Sequence, residues 1–144
     1  MSVRRAEERD AGAVLTLLAG LGRPAVTADP EPQEQVFRAH LADDACTIFV
    51  ADDGAAIAGV ASLWTRPRLN WPTPEAWLPD LYVDRAFRRR GHGRALIDAC
   101  AEEARRRGCH RLVLESGHGR AEAHHLYESA GFDHYARSYE LRLS

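Results

Sequence analysis

The sequence predicts an α/β fold of three layers, in which helices cover a central sheet. Helical and strand-like segments alternate along the chain, the helical segments are amphipathic, and a short apolar strand near residue 81 leads through a glycine loop into a helix. With 144 residues, of which 45% are apolar, the chain can build one substantial core. We therefore assign residues 1–144 to a single domain.

The first half predicts an opening strand, two helices and a hairpin. The predicted segments are a strand at 3–6, helices at 7–21 and about 30–42, and strands at 46–51 and 55–64. Apolar residues recur at helical spacing in both helices, and Pro30 opens the second. Asp52-Asp53-Gly54 is typical of a hairpin turn.

The second half predicts alternating strands and helices. The predicted segments are strands at 75–83 and 111–115, helices at 94–107 and 120–130, and a last strand carrying Tyr139, Leu141 and Leu143. Pro79 interrupts the first strand, and since proline cannot donate to a ladder it favours a bulge or a strand edge there. Gly108 and Gly131 end the two helices.

Composition and charge exclude several classes of protein. The net charge of −2 argues against a general nucleic-acid-binding protein, although five arginines fall within residues 85–94. No apolar run is long enough to span a membrane, and the N-terminus lacks the apolar stretch of a signal peptide. Three cysteines without framework spacing indicate reduced thiols. We expect a cytoplasmic protein with no membrane and no nucleic-acid partner.

The segment from Leu81 to Ile97 is the most informative part of the sequence. A strand ends at Val83, an arginine-rich loop with Gly91 and Gly93 follows, and a helix begins at once. A helix start presents unpaired backbone N–H groups and the positive end of the macrodipole, and glycines let an anion approach closely. The loop therefore predicts a pyrophosphate site. A Walker A loop is excluded because the chain contains no lysine.

Two motifs carry a resemblance to a known family. Arg88-x-x-Gly91-x-Gly93 resembles the acetyl-coenzyme A signature of the GNAT N-acetyltransferase superfamily, and the segment 123–132, with Tyr127 before Gly131-Phe132, resembles its C-terminal element. The resemblance implies a three-layer αβα acyl-CoA N-acyltransferase fold, with a mixed central sheet and a splayed strand pair. It also implies an enzyme that transfers an acetyl group from acetyl-CoA to a primary amine of a small molecule or peptide, directly within a ternary complex.

The resemblance also assigns a cofactor site. The implied cofactor-binding residues are Leu81, Tyr82, Val83, Arg88, Arg89, Arg90, Gly91, His92, Gly93, Arg94, Ser116 and Tyr127. The loop is expected to hold the pyrophosphate mainly through backbone N–H groups, and the main chain of Leu81 and Val83 to pair with the pantetheine arm. Arg120 stands where many relatives carry an asparagine, and Ser116 is a candidate for the lost contacts.

The catalytic residues are assigned unequally. The resemblance implies Tyr127 as the general acid that protonates the departing thiolate. For the general base, Glu75, Asp80 and a chain of water molecules stay open, because the attacking amine must lose a proton at neutral pH. We expect no metal, since the adjacent His124 and His125 point about 100° apart on a helix. No histidine is placed by sequence to activate a cysteine, which favours direct transfer.

The acceptor is the least determined part of the prediction. The region expected to receive it holds three tryptophans and four carboxylates, namely Trp64, Trp71, Trp77, Asp29, Glu31, Asp43 and Asp44. This composition suits a small cationic amine, but it equally suits surface packing or a homodimer contact. Two other functions stay open: a non-catalytic module that binds acyl-CoA for sensing, and nucleic-acid binding by the arginines of residues 85–94, which would be strongly salt-dependent.

Overall fold

Within residues 2–20, 29–115 and 121–143, which a computed structural model of the chain describes, five strands and four α-helices form. The strands are β1 (Ser2–Arg5), β2 (Cys46–Asp52), β3 (Ile57–Arg66), β4 (Glu75–Val83) and β5 (Leu112–Val113). The helices are α1 (Ala11–Ala19), α2 (Glu31–Ala42), α3 (His92–Arg106) and α4 (Ala121–Ser129). The chain divides into two compact units, Met1–Leu114 and Glu115–Ser144.

The first unit contains a mixed sheet in the order β1-β2-β3-β4-β5. The first four strands are antiparallel neighbours, and β5 lies parallel to β4. The middle strands are almost continuous apolar runs because helices cover both of their faces. The predicted hairpin between β2 and β3 is confirmed, with Gly54 in the left-handed conformation at φ 89°.

Helices pack on both faces of this sheet, which confirms the predicted three layers. On one face, Leu96 and Cys100 of α3 pack against residues of β3 and β4. On the other face, Val14 of α1 and Phe37 of α2 pack against β2 and β3. No helix in the described ranges is long and apolar enough to cross a lipid bilayer.

A buried carboxylate fastens the end of α3 to the sheet. The side chain of Glu103 forms ion pairs with Arg106 and Arg107 on its own helix and with Arg5 of β1, at 2.9 Å in the last case. Arg107 also donates to the main-chain oxygen of Asp44 and to the Thr47 hydroxyl. Burial alone would raise the pKa of Glu103, but the arginines lower it below its usual value.

The proline in β4 produces a β-bulge, which confirms the predicted irregularity. Ser62 faces Asp80 and Trp64 faces Trp77, so the single residue between them on β3 lies opposite both Leu78 and Pro79. The extra residue reverses the alternation of β4, and Leu78 and Leu81 therefore both pack on the α3 side. It also places Asp80 on the same face as Ser62.

The second unit differs from the prediction. Helix α4 forms as expected, but residues 132–143 contain neither helix nor strand, so the predicted terminal strand is wrong. Tyr139, Leu141 and Leu143 are between 84% and 91% exposed. Alternation of apolar residues is not sufficient for a strand, because the backbone also needs a ladder partner.

Candidate active site

The first turn of α3 is built to leave backbone N–H groups available. Gly91 is the N-cap at φ 84°, a left-handed conformation that favours glycine, and it has no side chain with which to cap the helix. Arg89 also has a positive φ, 62°, which is uncommon for a residue with a side chain. The loop therefore turns sharply into a helix start whose first N–H groups lack intrahelical acceptors.

Exposed arginines surround this turn. Arg88, Arg89 and Arg90 are all exposed. The Arg88 Nε donates to the main-chain oxygen of Val83 at 3.2 Å, and its guanidinium lies 5.6 Å from the centre of the Tyr82 ring. The Arg90 guanidinium lies 5.6 Å from the centre of the Phe87 ring. The loop thus combines concentrated positive charge with a helix N-terminus, the arrangement that binds phosphate groups.

His92 has a different orientation from its neighbours. Its side chain is only 2% exposed, with Nδ1 3.2 Å from the main-chain oxygen of Phe87 and Nε2 3.5 Å from an Asp53 oxygen. The imidazole therefore contacts the loop through Nδ1 and lies near the turn between β2 and β3, but its Nε2 makes no hydrogen bond within the described residues. Only the backbone N–H of His92 is suited to the cofactor contact that the sequence predicts.

The ladder between β4 and β5 is open over most of its length. Only Ala76 and Trp77 of β4 pair with β5, opposite Leu112 and Val113. From Leu78 to Val83 the main chain pairs with β3 on one side, and no strand of the described residues pairs with it on the other. The predicted splayed pair is therefore present, and its open end leads to the arginine loop.

Asp80 is the acidic residue on this open part of β4. It lies directly opposite Ser62, whose hydroxyl donates to the Asp80 carboxylate at 2.7 Å. The side chain is partly exposed and shares its sheet face with α1 and α2. A carboxylate in this position can accept a proton from a bound amine.

Glu75, the other predicted base, lies at the closed end of the strand pair. Its fully buried carboxylate accepts hydrogen bonds from Arg66 at 2.7 Å, Arg68 at 2.9 Å and Arg111 at 2.9 Å. Burial alone would raise the pKa of Glu75, but the three arginines lower it to about 2. Such a carboxylate is a weak proton acceptor at neutral pH, so the geometry favours Asp80 over Glu75 as the base.

Ser116 and Tyr127, the predicted site residues that follow β5, are not part of the first unit. Ser116 lies outside the described residues, as does Arg120. Tyr127 is a half-buried residue of α4 in the second unit, where its ring lies 6.1 Å from that of Phe132 in an edge-to-face arrangement. The assignments of both residues stay predictions.

The cysteines are poor nucleophiles. Burial raises the pKa of both Cys46 and Cys100 to about 12, and it also raises the pKa of Cys109. A thiol with so high a pKa is almost never ionised at neutral pH. This favours direct transfer over a covalent acyl-enzyme.

Sequence reasoning missed Ser62 and the arginines around Glu75. The contact between Arg66 and Glu75 could have been predicted from the sequence. The two residues flank a loop between two predicted strands, and residues in such positions face each other in a hairpin. Arg68 within that loop and Arg111 before β5 carry no comparable signal. Their convergence depends on the path of the loop and on the position of β5.

Known proteins resemble this chain in sequence and in fold. The model of the acetyltransferase (GNAT) family matches residues 15–132. A glucosamine 6-phosphate N-acetyltransferase of Trypanosoma brucei brucei is 28% identical over 150 residues, covering 99% of this chain and 96% of its own. The structure of a protein assigned as an acetyltransferase from Agrobacterium tumefaciens C58 superposes with a TM-score of 0.88 at 30% identity, over 99% of both chains. An aminoglycoside N-acetyltransferase in complex with CoA shares the fold, with a TM-score of 0.85 at 20% identity over 98% of this chain and 93% of its own.

Replacing Glu75 by Gln should reduce stability in a pH-dependent way. Because the folded-state pKa of about 2 lies below the usual 4.5, the charged carboxylate stabilises the fold fully above pH 4.5, and this contribution is lost as the pH falls towards 2. We expect Glu75→Gln to lose about 3 kcal/mol at pH 7 and progressively less at lower pH, as measured by urea unfolding. The exposed Glu102→Gln is the control and should change stability by less than about 0.5 kcal/mol. A loss for Glu75→Gln that is the same at pH 7 and pH 3 would contradict this account.

Proposed function

Because this chain belongs to the acetyltransferase (GNAT) family, we propose that it transfers the acetyl group of acetyl-CoA directly to a primary amine of a small molecule or peptide. The observation that carries the proposal is the open edge of β4 from Leu78 to Val83, which leads directly into the arginine-rich start of α3. The start of α3 suits a pyrophosphate, and the open edge of β4 suits an extended amide-containing arm that can pair with a strand.

Three features of this chain are suited to bind acetyl-CoA, namely a helix start, exposed arginines and an open strand edge. Gly91 adopts a left-handed conformation without a capping side chain, so the first N–H groups of α3 remain available for phosphate oxygens. Arg88, Arg89 and Arg90 are exposed beside them. The main chain of Leu81 and Val83 offers amide groups along the open ladder, while their side chains pack into the core. Acetyl-CoA supplies the activated acyl group, and the protein binds and orients it.

The open edge of β4 also has a role in catalysis under this proposal. An N–H group of the main chain in Leu81–Val83 donates to the thioester carbonyl oxygen as negative charge develops on it. A donor fixed in a strand needs no reorganisation during the reaction, and removing one such donor from an enzyme typically lowers the rate by about 10²–10³-fold.

Asp80 is the proposed general base. An alkylamine with a pKa near 10.4 is protonated at neutral pH and must lose a proton before it attacks. The Asp80 carboxylate lies next to the open edge, and the Ser62 hydroxyl fixes its orientation at 2.7 Å. Tyr127 is the proposed general acid that protonates the departing thiolate, an assignment supported by the sequence resemblance.

Binding of acetyl-CoA should stabilise the protein through the loop backbone. At a concentration about 100 times the Kd we expect the Tm to rise by about 5–10 °C, and by less with dephospho-CoA or ATP. Gly91→Val should abolish the rise because it strains and blocks the helix start, whereas Arg90→Ala should only reduce it. Gly108→Val is the matched control, since Gly108 has a similar φ of 75° but lies at the other end of α3. It should lower the Tm yet keep the rise, and the loss of the rise in both glycine variants would argue against the loop.

Asp80→Asn should lower kcat by about 10²-fold or more, because it removes the proton acceptor and retains the shape of the side chain. The exposed Asp133→Asn serves as the control and should leave kcat unchanged. Both variants should retain the thermal shift with acetyl-CoA. Steady-state release of free CoA thiol over a broad panel of amines measures the effect. A wild-type kcat in the Asp80→Asn enzyme would exclude Asp80 as the general base.

Tyr127→Phe should keep the thermal shift with acetyl-CoA and lower kcat by about 10- to 100-fold, since water can protonate the thiolate more slowly. Tyr135→Phe, a substitution of an exposed tyrosine in the same unit, is the matched control and should leave kcat unchanged. The same thiol-release assay applies. Equal kcat values for the wild type and Tyr127→Phe would remove Tyr127 from the mechanism.

A further inference from the structure

A concentrated positive charge lies on the sheet around Glu75. Arg66, Arg68 and Arg111 each direct one N–H group at this single buried carboxylate, so the cluster carries a net charge of +2. Between 37% and 40% of each arginine side chain is exposed. One buried glutamate thus orients three guanidinium groups and leaves part of each accessible from solvent.

This cluster shares a sheet face with the proposed base. Residues two apart on a strand point to the same face, and three successive cross-strand pairs of β3 and β4 therefore form a continuous row. The pairs are Ser62–Asp80, Trp64–Trp77 and Arg66–Glu75. The row begins at the Asp80 carboxylate next to the open ladder, continues through the two tryptophans and ends at the arginines around Glu75.

The distance along the row is set by strand geometry. Four residues of β3 separate Ser62 from Arg66, which is about 13 Å along an antiparallel strand. The Arg66 guanidinium folds back and lies 4.8 Å from the centre of the Trp77 ring, one pair closer to Asp80. A molecule with its amine at Asp80 would therefore meet positive charge about 7–13 Å away.

The hydrogen-bonding chemistry of the cluster matches an oxyanion. A guanidinium has five N–H donors in a planar fork and pairs bidentately with phosphate or carboxylate. The contact with Glu75 uses the Nε–H of Arg66 and an Nη1–H of Arg68, which leaves a further edge of each group directed elsewhere. The Arg66 guanidinium lies over the Trp77 ring, a cation–π contact that restrains its position.

The acidic residues of the region expected to receive the acceptor make contacts within and beside α2. Glu31 pairs with Arg38, Asp29 accepts a hydrogen bond from the backbone N–H of Glu31, and Asp43 accepts one from that of Ala45. Asp29 thus accepts from one backbone N–H at the start of α2, and Asp43 accepts from one in the turn that follows the helix. On the sheet face that carries Trp64, Trp77 and Asp80, the cluster around Glu75 contributes a net charge of +2.

We propose that the acceptor is a primary amine that also carries a phosphate or carboxylate group, which Arg66 and Arg68 bind. This inference rests on the proposed acetyltransferase function and specifies its substrate class. Because like charges repel, the arginine cluster opposes a polycationic acceptor such as a polyamine. Arg111 contributes to the same field, and Glu75 acts as a positioning residue that holds the three arginines.

Matched amines test the proposal. The panel pairs glucosamine 6-phosphate with glucosamine and 6-aminohexanoate with hexylamine, and it includes spermidine. The anionic member of at least one pair should have a kcat/KM more than ten times that of its neutral partner. Arg66→Gln and Arg68→Gln should each lower that value by about 10- to 100-fold, mainly through KM, the effect of losing a charge-assisted hydrogen-bonded pair. Their kcat/KM for the neutral partner should change by less than twofold.

A control variant and a binding measurement make the test specific. Arg66→Gln and Arg68→Gln each leave two arginines on Glu75, so a result obtained with either variant still tests the proposal if the other does not fold. The exposed Arg105→Gln, at the end of α3, should leave both kinds of acceptor unaffected. Calorimetric titration of the anionic amines into the CoA-bound protein should show binding that weakens in Arg66→Gln and Arg68→Gln.

The outcomes separate this inference from the proposed function. Equal kcat/KM for the anionic and neutral members of both pairs, together with a thermal shift by acetyl-CoA, would overturn the inference and leave the acetyltransferase function intact. A preference for spermidine, or equal losses in the variants for both members of a pair, would also overturn it. Failure of acetyl-CoA to stabilise the protein, with no transfer to any amine, would overturn the function and the inference together.

Discussion

The open ladder beside β4 is the feature on which the rest of the site depends. β4 pairs with β3 along its length, but it pairs with β5 only at Ala76 and Trp77. Main-chain amide groups within a sheet need hydrogen-bonding partners, so an open stretch between two strands favours a ligand that can supply them. The bulge at Pro79 adjusts the same stretch and turns Asp80 to the face opposite α3. The unpaired edge of β4 and the proposed base, Asp80, therefore both result from the irregularity of one strand.

Glu103 and Glu75 are both buried, and each forms ion pairs with three arginines. The other contacts of these arginines differ between the two clusters. At Glu103, Arg107 uses further N–H groups on the Asp44 carbonyl and the Thr47 hydroxyl, and the cluster fastens helix to sheet. At Glu75, the guanidinium of Arg66 lies over the Trp77 ring and shares a sheet face with Asp80. The pairing of a buried carboxylate with three arginines therefore does not by itself define the role of the cluster. The arrangement of its partners and the direction of their remaining donors distinguish the two clusters.

Much of the fold could be predicted because its signals are local. Helical spacing located α1, α2 and α3, hairpin turn residues located the β2–β3 turn, and Gly108 marked the end of α3. The predicted terminal strand does not form, because alternation of apolar residues cannot supply a pairing partner. The orientation of the His92 side chain is a second feature that local signals did not predict. The sequence places this residue in the loop, whereas packing turns its imidazole towards Phe87 and Asp53.

The sequence by itself determined the strand, glycine loop and helix start that suit a pyrophosphate, because these depend on residues adjacent along the chain. It also indicated the bulge, since proline removes a donor wherever it stands. Only the tertiary structure showed that Glu75 is surrounded by three arginines, whereas Asp80 accepts a hydrogen bond from Ser62. Which carboxylate meets three arginines depends on the register of β3 against β4, on the path of the intervening loop and on the position of β5, all of which are contacts between distant parts of the chain.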